Sequence, residues 1–233
     1  MKAQKGARMF KKIFLISVLY ISATSALPNG YSIELFAQDM APYIPFIAEQ
    51  RINAYRAYPY LYEGKMDEEV TYLEWFCKLK HSAVAIAFYN DEPVGFITAT
   101  ALSAFDEHFK ASAEVFKSAG LSPDAFYYFS DAIVLQEHRN KSLITEMAKM
   151  LEEHADILGY TASCFVYESH ESHPLKPLNY QELNNLFKKN GYSKTDLEIS
   201  YQWSTRQVDG SNKIQYHPLN YWIKDLTATE AAA

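Results

Sequence analysis

Cysteine, glycine, positive charge and long apolar runs are all scarce in this chain of 233 residues, and each scarcity excludes something. The two cysteines, Cys77 and Cys164, cannot make a disulfide framework. Cys164 sits in the strand-like run Ala162-Ser163-Cys164-Phe165-Val166 and Cys77 in a helical stretch, so both read as ordinary buried thiols. Eight glycines and nine prolines exclude collagen-like and low-complexity chains. No 18-residue apolar run lies in the body of the chain, which excludes a polytopic membrane protein. Basic residues number 22 against 28 acidic ones, and five of the basic ones (Lys2, Lys5, Arg8, Lys11 and Lys12) fall in the first 26 residues, which hold no acid. Residues 27–233 therefore carry 17 basic and 28 acidic groups, a net charge of −11. Such a body repels phosphate backbones and anionic lipid, so no nucleic-acid partner is expected.

What remains is ample for one folded domain: 48% hydrophobic and 15% aromatic residues can bury a large core. Residues 1–26 stand apart. Met9-Phe10-Lys11-Lys12 precedes the apolar stretch Ile13–Ala23, and Thr24-Ser25-Ala26 supplies small residues at a cleavage point. This is the pattern of a signal peptide or anchor, and a membrane partner is expected only through it, if it stays uncleaved. Residues 27–226 read as the folded domain and 227–233 as a tail.

Along the body, Tyr31–Phe36 alternates as a first strand. Residues 39–55 carry Met40, Ile44, Ile47, Ala48 and Ile52 at helical spacing, and Asp67 caps a helix to about Leu79. Ala83–Tyr89 and Pro93–Thr100 flank Asn90-Asp91-Glu92 as a hairpin. Residues 103–119 read as a polar helix, a solvated cover or a lid, ended by Gly120. Phe126–Leu135 is an apolar strand, Leu143 to Leu158 an amphipathic helix ended by Gly159, and Thr161–Tyr167 a further strand. A helix over 179–190 and closing strands at Glu198–Trp203 and Asn220–Lys224 complete the chain. The strand–helix–strand unit of the second half implies a parallel pair with a right-handed crossover, hence an α/β fold with a mixed β-sheet flanked by helices.

The stretch Ala132-Ile133-Val134-Leu135-Gln136-Glu137-His138-Arg139-Asn140-Lys141-Ser142-Leu143-Ile144 carries the chemistry. A strand ends, the chain turns, and a helix opens at about Lys141. The free N–H groups and positive end of such a helix suit a pyrophosphate, and Arg139 and Lys141 add charge. The segment resembles the acyl-CoA loop of the GNAT N-acetyltransferase superfamily, Arg/Gln-x-x-Gly-x-Gly/Ala after a strand with a Val five residues before the Arg. Arg139 takes the first position and Val134 the Val. Ser142 and Ile144 stand where the pattern has Gly and Gly/Ala, and Asn140 replaces another common Gly. The likeness extends over residues 31–226 and is similar to a poorly characterised branch of the superfamily. It rests on Tyr58-Pro59-Tyr60-Leu61-Tyr62, Phe126 to Asp131, Ser163–Val166, His173 to Pro177, Gly191-Tyr192, Trp203 and Trp222.

That resemblance implies a single GNAT-like domain that transfers an acetyl group from acetyl-CoA, as co-substrate, to a small-molecule or peptidyl amine by direct attack. It implies a cofactor site at Ile133, Val134, Leu135, Arg139, Asn140, Lys141, Ser142, Leu143 and Ile144. The chemistry needs a base for the ammonium and an acid for the leaving thiolate. Asp131, a carboxylate inside an apolar strand, is the first candidate base, with Glu168 and His170 beyond the next strand as second candidates. The family's acid is a Tyr about five residues before the Gly-aromatic pair; Phe187 stands there, leaving Tyr180, Tyr192 or an unassisted thiolate. Tyr58, Tyr60 and Tyr62 form an expected substrate wall, since aromatic faces accept cationic amines. Glu168-Ser169-His170-Glu171-Ser172-His173 invites a metal reading, but no complete ligand shell is evident elsewhere, so no metal is expected. The eroded glycines and Phe187 also fit a non-catalytic acyl-CoA or small-ligand binding protein on the same scaffold. The targeting segment points to export or membrane association, and acetyl-CoA points to the cytoplasm. The acceptor and the oligomeric state are not legible.

Overall fold

The computed structural model describes residues 27–37, 39–104, 110–168 and 174–227. The targeting segment and its cleavage point, most of the tail, His170 and His173 lie outside the described residues. The elements run β1 (Tyr31–Ala37), α1 (Ile44–Tyr55), α2 (Met66–Phe76), β2 (Ala83–Tyr89), β3 (Glu92–Ala101), α3 (Lys110–Ser118), β4 (Phe126–Val134), α4 (Leu143–Ile157), β5 (Ala162–Tyr167), α5 (Asn184–Lys189), β6 (Ser193–Arg206) and β7 (Asn212–Asp225). The strands form one mixed seven-stranded sheet in the order β1-β2-β3-β4-β5-β7-β6. Every neighbouring pair is antiparallel except β4 and β5, which are parallel and joined through α4. This is the expected α/β class.

Each face of the sheet buries its own core. On one face α1, α2 and α3 pack through Ile47, Leu73, Phe76 and Phe116 against Ile86, Phe96, Tyr128 and Tyr221. On the other, Leu143, Met147, Leu151 and Ala155 of α4 pack against Ala85, Ile97, Tyr127 and Trp222. That α4 set recurs at helical spacing, which is why the sequence alone located the helix. The β2–β3 turn is tight because Asn90 and Asp91 both adopt positive φ, +50° and +68°, the conformation of two-residue hairpin loops.

Three expectations need correction. Within the stretch over 103–119 the described helix is Lys110–Ser118, and it is docked rather than a solvated cover. Phe116 is fully buried, edge-on to Phe126 and Tyr221 at 4.7 and 4.8 Å. The helix foreseen at 179–190 shrinks to Asn184–Lys189. Strands β6 and β7 are 14 residues each, much longer than the apolar segments Glu198–Trp203 and Asn220–Lys224. Apart from the core residue Leu219 and the half-buried Leu197, their added residues are polar or exposed, and they are held by cross-hairpin pairing, from Glu198↔Asn220 to Arg206↔Asn212.

Candidate active site

Two irregularities in the sheet create the site. First, β4 carries one extra residue against β3: Thr98 pairs with Asp131 and Ala99 with Phe129, so Ser130 bulges. The bulge turns both Ser130 and Asp131 toward α1 and α2, where Tyr72 meets Ser130 at 3.0 Å and Arg51 meets Asp131. Second, β4 pairs with β5 only through Phe126↔Ala162, Tyr127↔Ser163 and Tyr128↔Cys164. Beyond those three pairs the strands part, while β5 continues on β7 as far as Tyr167↔Asn220. The parting leaves main-chain groups of the β4 end facing a gap, with the start of α4 below it.

The turn after β4 holds the cofactor residues of the sequence reading together. Leu135 N–H donates to the Val94 carbonyl at 2.9 Å, and Arg139 Nε folds back to donate to the Val134 carbonyl at 3.2 Å. Gly95 lets β3 approach here, because a Cβ would lie 2.8 Å from Val134 Cγ2 and 2.9 Å from the Ile133 carbonyl. Asn140 and Ser142 have φ of +60° and +62°, so these non-glycine residues adopt the left-handed backbone that the glycine pattern provides for. Asn tolerates that region; Ser pays about 1 kcal/mol for it. Ser142 N-caps α4 with no side-chain hydrogen bond, so no side chain covers the helix end. Arg139, Asn140, Lys141 and Ser142 are exposed there, whereas Ile144 is partly buried and packs down onto the α4-side core. An open helix end, left-handed residues and two exposed cations fit the diphosphate of an acyl-CoA.

Asp131 lies 4% exposed within a buried network. Its Oδ1 accepts from the Arg51 guanidinium and from the Tyr55 hydroxyl (2.6 Å), and its Oδ2 accepts from Thr98 (2.6 Å). Arg51 also donates to Glu69 (2.5 Å), which accepts from Tyr62 at 2.8 Å, and its cation lies over Tyr72. Burial alone would discourage the Arg51 charge, but the surrounding carboxylates and phenols outweigh it and keep the group protonated. Sequence reasoning missed Arg51 and Glu69, although both fall on the apolar stripes of their helices: Ile44, Ile47, Ala48, Arg51 and Glu69, Leu73, Phe76.

Glu168, one residue past β5, has a different setting. It is fully buried, and its Oε1 lies 2.7 Å from His217 Nδ1 on β7. Burial pushes its carboxyl up to about 8. The phenols of Tyr58 and Tyr60 feel its charge, and Tyr60 feels Asp131 as well, so Tyr60 stands between the two carboxylates. Tyr60 packs on Tyr55 at 4.9 Å, and Tyr58 packs edge-on to Tyr180 at 4.6 Å. Tyr62 faces Glu69 instead of Glu168. The expected wall is thus Tyr58 and Tyr60 with Tyr180 added.

The tyrosines named as acids separate. Tyr192 is buried on the α4 face, donating to Glu152 (2.9 Å) and hydrogen-bonded to Ser163 (2.8 Å). Tyr180 shares a 2.6 Å hydrogen bond with Tyr167, whose ring lies 5.0 Å from Phe187. Tyr167, which the sequence did not single out, therefore brings a hydroxyl beside the Phe187 position. Tyr167 and Glu168 are consecutive and face opposite sides of the sheet at the mouth of the gap. Both cysteines are free thiols. Among the described residues no three His, Cys, Asp or Glu side chains gather as a metal site, and no helix is long and apolar enough to cross a membrane.

Comparison with known proteins agrees with this fold. The model of the acetyltransferase (GNAT) family matches residues 49–175, more than half of the chain. A search of curated proteins returned no match. Among solved structures, an N-acetyltransferase from Staphylococcus aureus Mu50 superposes with a TM-score of 0.53 at 14% identity, over 84% of this chain and 98% of its own. The yncA structure from Salmonella typhimurium, solved with its cofactor acetyl-CoA, gives 0.52 at 15% over 85% and 95%. A ribosomal-protein-alanine N-acetyltransferase from Brucella melitensis gives 0.52 at 13% over 83% and 99%. At these identities the likeness is one of fold.

Proposed function

The chain belongs to the acetyltransferase (GNAT) family, and from that premise we propose that it transfers an acetyl group from acetyl-CoA to a primary amine, with Glu168 as the general base. The observation that carries the reading is the parting of β4 from β5 above an uncapped α4 whose entry residues Asn140 and Ser142 are left-handed. The turn holds the diphosphate through backbone N–H groups, Arg139 and Lys141. The β4 edge, from Ile133 to Leu135, presents main-chain groups to the pantetheine arm and thioester. Acetyl-CoA supplies an activated acyl carbon and a thiolate leaving group.

The acceptor enters along Tyr58, Tyr60 and Tyr180, whose faces attract a cation. Glu168 takes the ammonium proton, and a carboxyl that titrates near 8 is matched to that task. Asp131, the first candidate from sequence, accepts three hydrogen bonds and carries a buried guanidinium, so its role is to hold α1 on the bulged strand. The hydrogen-bonded hydroxyls of Tyr167 and Tyr180 supply the proton for the thiolate. Both phenols are held above their usual range by burial first, so they remain protonated donors at neutral pH.

Calorimetric titration of acetyl-CoA, followed by thiol release with spermidine, tyramine and tripeptides bearing free amino termini, tests this. Micromolar binding, weakened in Arg139→Glu, together with an acetylated amine is expected. Failure to bind would overturn the reading. Binding without transfer would favour the second reading, a non-catalytic acyl-CoA-binding protein, for which Phe187 at the acid position is the specific observation.

A further inference from the structure

We infer that His217 is the positioning residue for the Glu168 base, and that Thr205 and Trp203 fix its ring so that Nδ1–H points at the carboxylate. The inference rests on the reading of Glu168 as base given above. Three elements converge on the imidazole. Its Nδ1 lies 2.7 Å from Glu168 Oε1 at the end of β5, and its Nε2 lies 2.7 Å from Thr205 Oγ1 on β6. Its plane stacks on Trp203 at 3.7 Å between centroids and 6° between planes. Trp203 Nε1 in turn donates to the Tyr60 carbonyl at 2.9 Å, which ties the same tier to the acceptor wall. His217 is 4% exposed and Thr205 2% exposed.

The tautomer follows from these contacts. An ionised Glu168 offers only lone pairs, so a neutral imidazole 2.7 Å away must present Nδ1–H to it. Nε2 is then an acceptor, and the Thr205 hydroxyl, whose alternative acceptor is the Trp203 carbonyl at a longer 3.4 Å, is placed to donate to it at 2.7 Å. The opposite tautomer would set a nitrogen lone pair against the carboxylate, and the Trp203 stack prevents the ring from turning away. Thr205 thus favours the form of His217 that stabilises the Glu168 anion, which is the form that accepts the proton of the acceptor ammonium. His217 keeps its own proton throughout, and no bond to it forms or breaks.

Among the described residues, the titratable groups around the pair are Tyr58 and Tyr60 of the aromatic loop, Tyr180 beyond β5, Lys176 and Glu182 acting through Tyr58, Asp131 on β4 acting through Tyr60, and Lys213 on β7. Lys213, Thr205 and His217 line one groove of about 490 Å³ with Pro59, Leu61 and Tyr216, so the ring is within reach of small solutes from that side.

Ring-nitrogen NMR on the ¹⁵N-labelled full chain at pH 9, where Glu168 is ionised and no acceptor is needed, should show His217 as the neutral Nδ1–H tautomer, and Thr205→Val should mix the two tautomers. In thiol-release assays with the amine that supports turnover, Thr205→Val and His217→Gln should move the acidic limb of kcat up by about one pH unit, a tenfold loss of ionised base at limb pH. KM for acetyl-CoA should stay unchanged. In His217→Ala, added imidazole should restore kcat through the groove. An Nε2–H tautomer at pH 9, or a limb that does not move in either variant while Glu168→Gln is inactive, would overturn the inference and leave Glu168 as base. A fully active Glu168→Gln would overturn the base assignment and this inference with it.

Discussion

Asp131 and Glu168 are both buried carboxylates on the same face of one sheet, yet their surroundings set them to different work. Asp131 faces a guanidinium, a phenol and a threonine hydroxyl, all donors, and its charge balances a buried cation. Glu168 pairs with an imidazole, its charge is felt by the Tyr58 and Tyr60 phenols, and burial raises its carboxyl to about 8. A carboxylate engaged by three donors and a fixed cation serves as a structural tie, whereas one that burial holds near neutrality changes charge in the working range. Burial alone therefore does not mark a base; the number of donors and cations around it decides.

The sharpest way to break this comparison is to neutralise each group. Glu168→Gln should lower turnover at least a hundredfold, in the usual range for a lost general base, while the calorimetric affinity for acetyl-CoA stays within twofold. Asp131→Asn should act on stability instead. It leaves Arg51 buried against Glu69 with one partner lost, at a cost of about 3–5 kcal/mol, read as a melting point lower by roughly 10 °C. If Asp131→Asn melts normally and loses turnover, the two roles are exchanged.

The pH dependence sharpens the contrast. Glu168 titrates near 8 in the folded chain against about 4.5 unfolded, so the folded state favours the protonated form. Its contribution to stability is fully present below about 4.5 and is lost as pH rises through about 8. Glu168→Gln should accordingly melt higher than the parent at pH 9 and nearly the same at pH 4, while turnover of the parent rises through pH 8. Smaller effects belong to the turn. Arg139→Ala should weaken acetyl-CoA binding several-fold, less than Arg139→Glu, because much of the attraction comes from backbone N–H groups. Ser142→Gly should raise stability by up to about 1 kcal/mol, through relief of the left-handed serine.

The fold was largely legible because apolar periodicity and turn residues act locally. The α4 stripe, the Asn90-Asp91 hairpin and the Val134-to-Arg139 turn each stand in a few consecutive residues. The 14-residue β6 and β7 were cut short in the sequence reading because their outer segments, around Lys194-Thr195-Asp196 and Asn212–Gln215, carry no apolar alternation and are held by the partner strand, Lys194 against Trp222 and Asn212–Gln215 against Trp203–Arg206. The docking of α3 was likewise hidden, since it rests on Phe116 with Val115 and a Ser112–Tyr201 hydrogen bond rather than on an apolar stripe.

The candidate site divides in the same way. Sequence order by itself determined the α/β class, the strand–turn–helix that fits a diphosphate, and the presence of acids and tyrosines near it, because each depends on neighbours a few residues apart. Only the tertiary structure decided which acid is which. Arg51 and Asp131 are 80 positions apart and Glu168 and His217 are 49 apart. The proton affinity of a buried carboxyl is set by whatever donors and cations the fold brings within a few ångströms, and no local pattern records them.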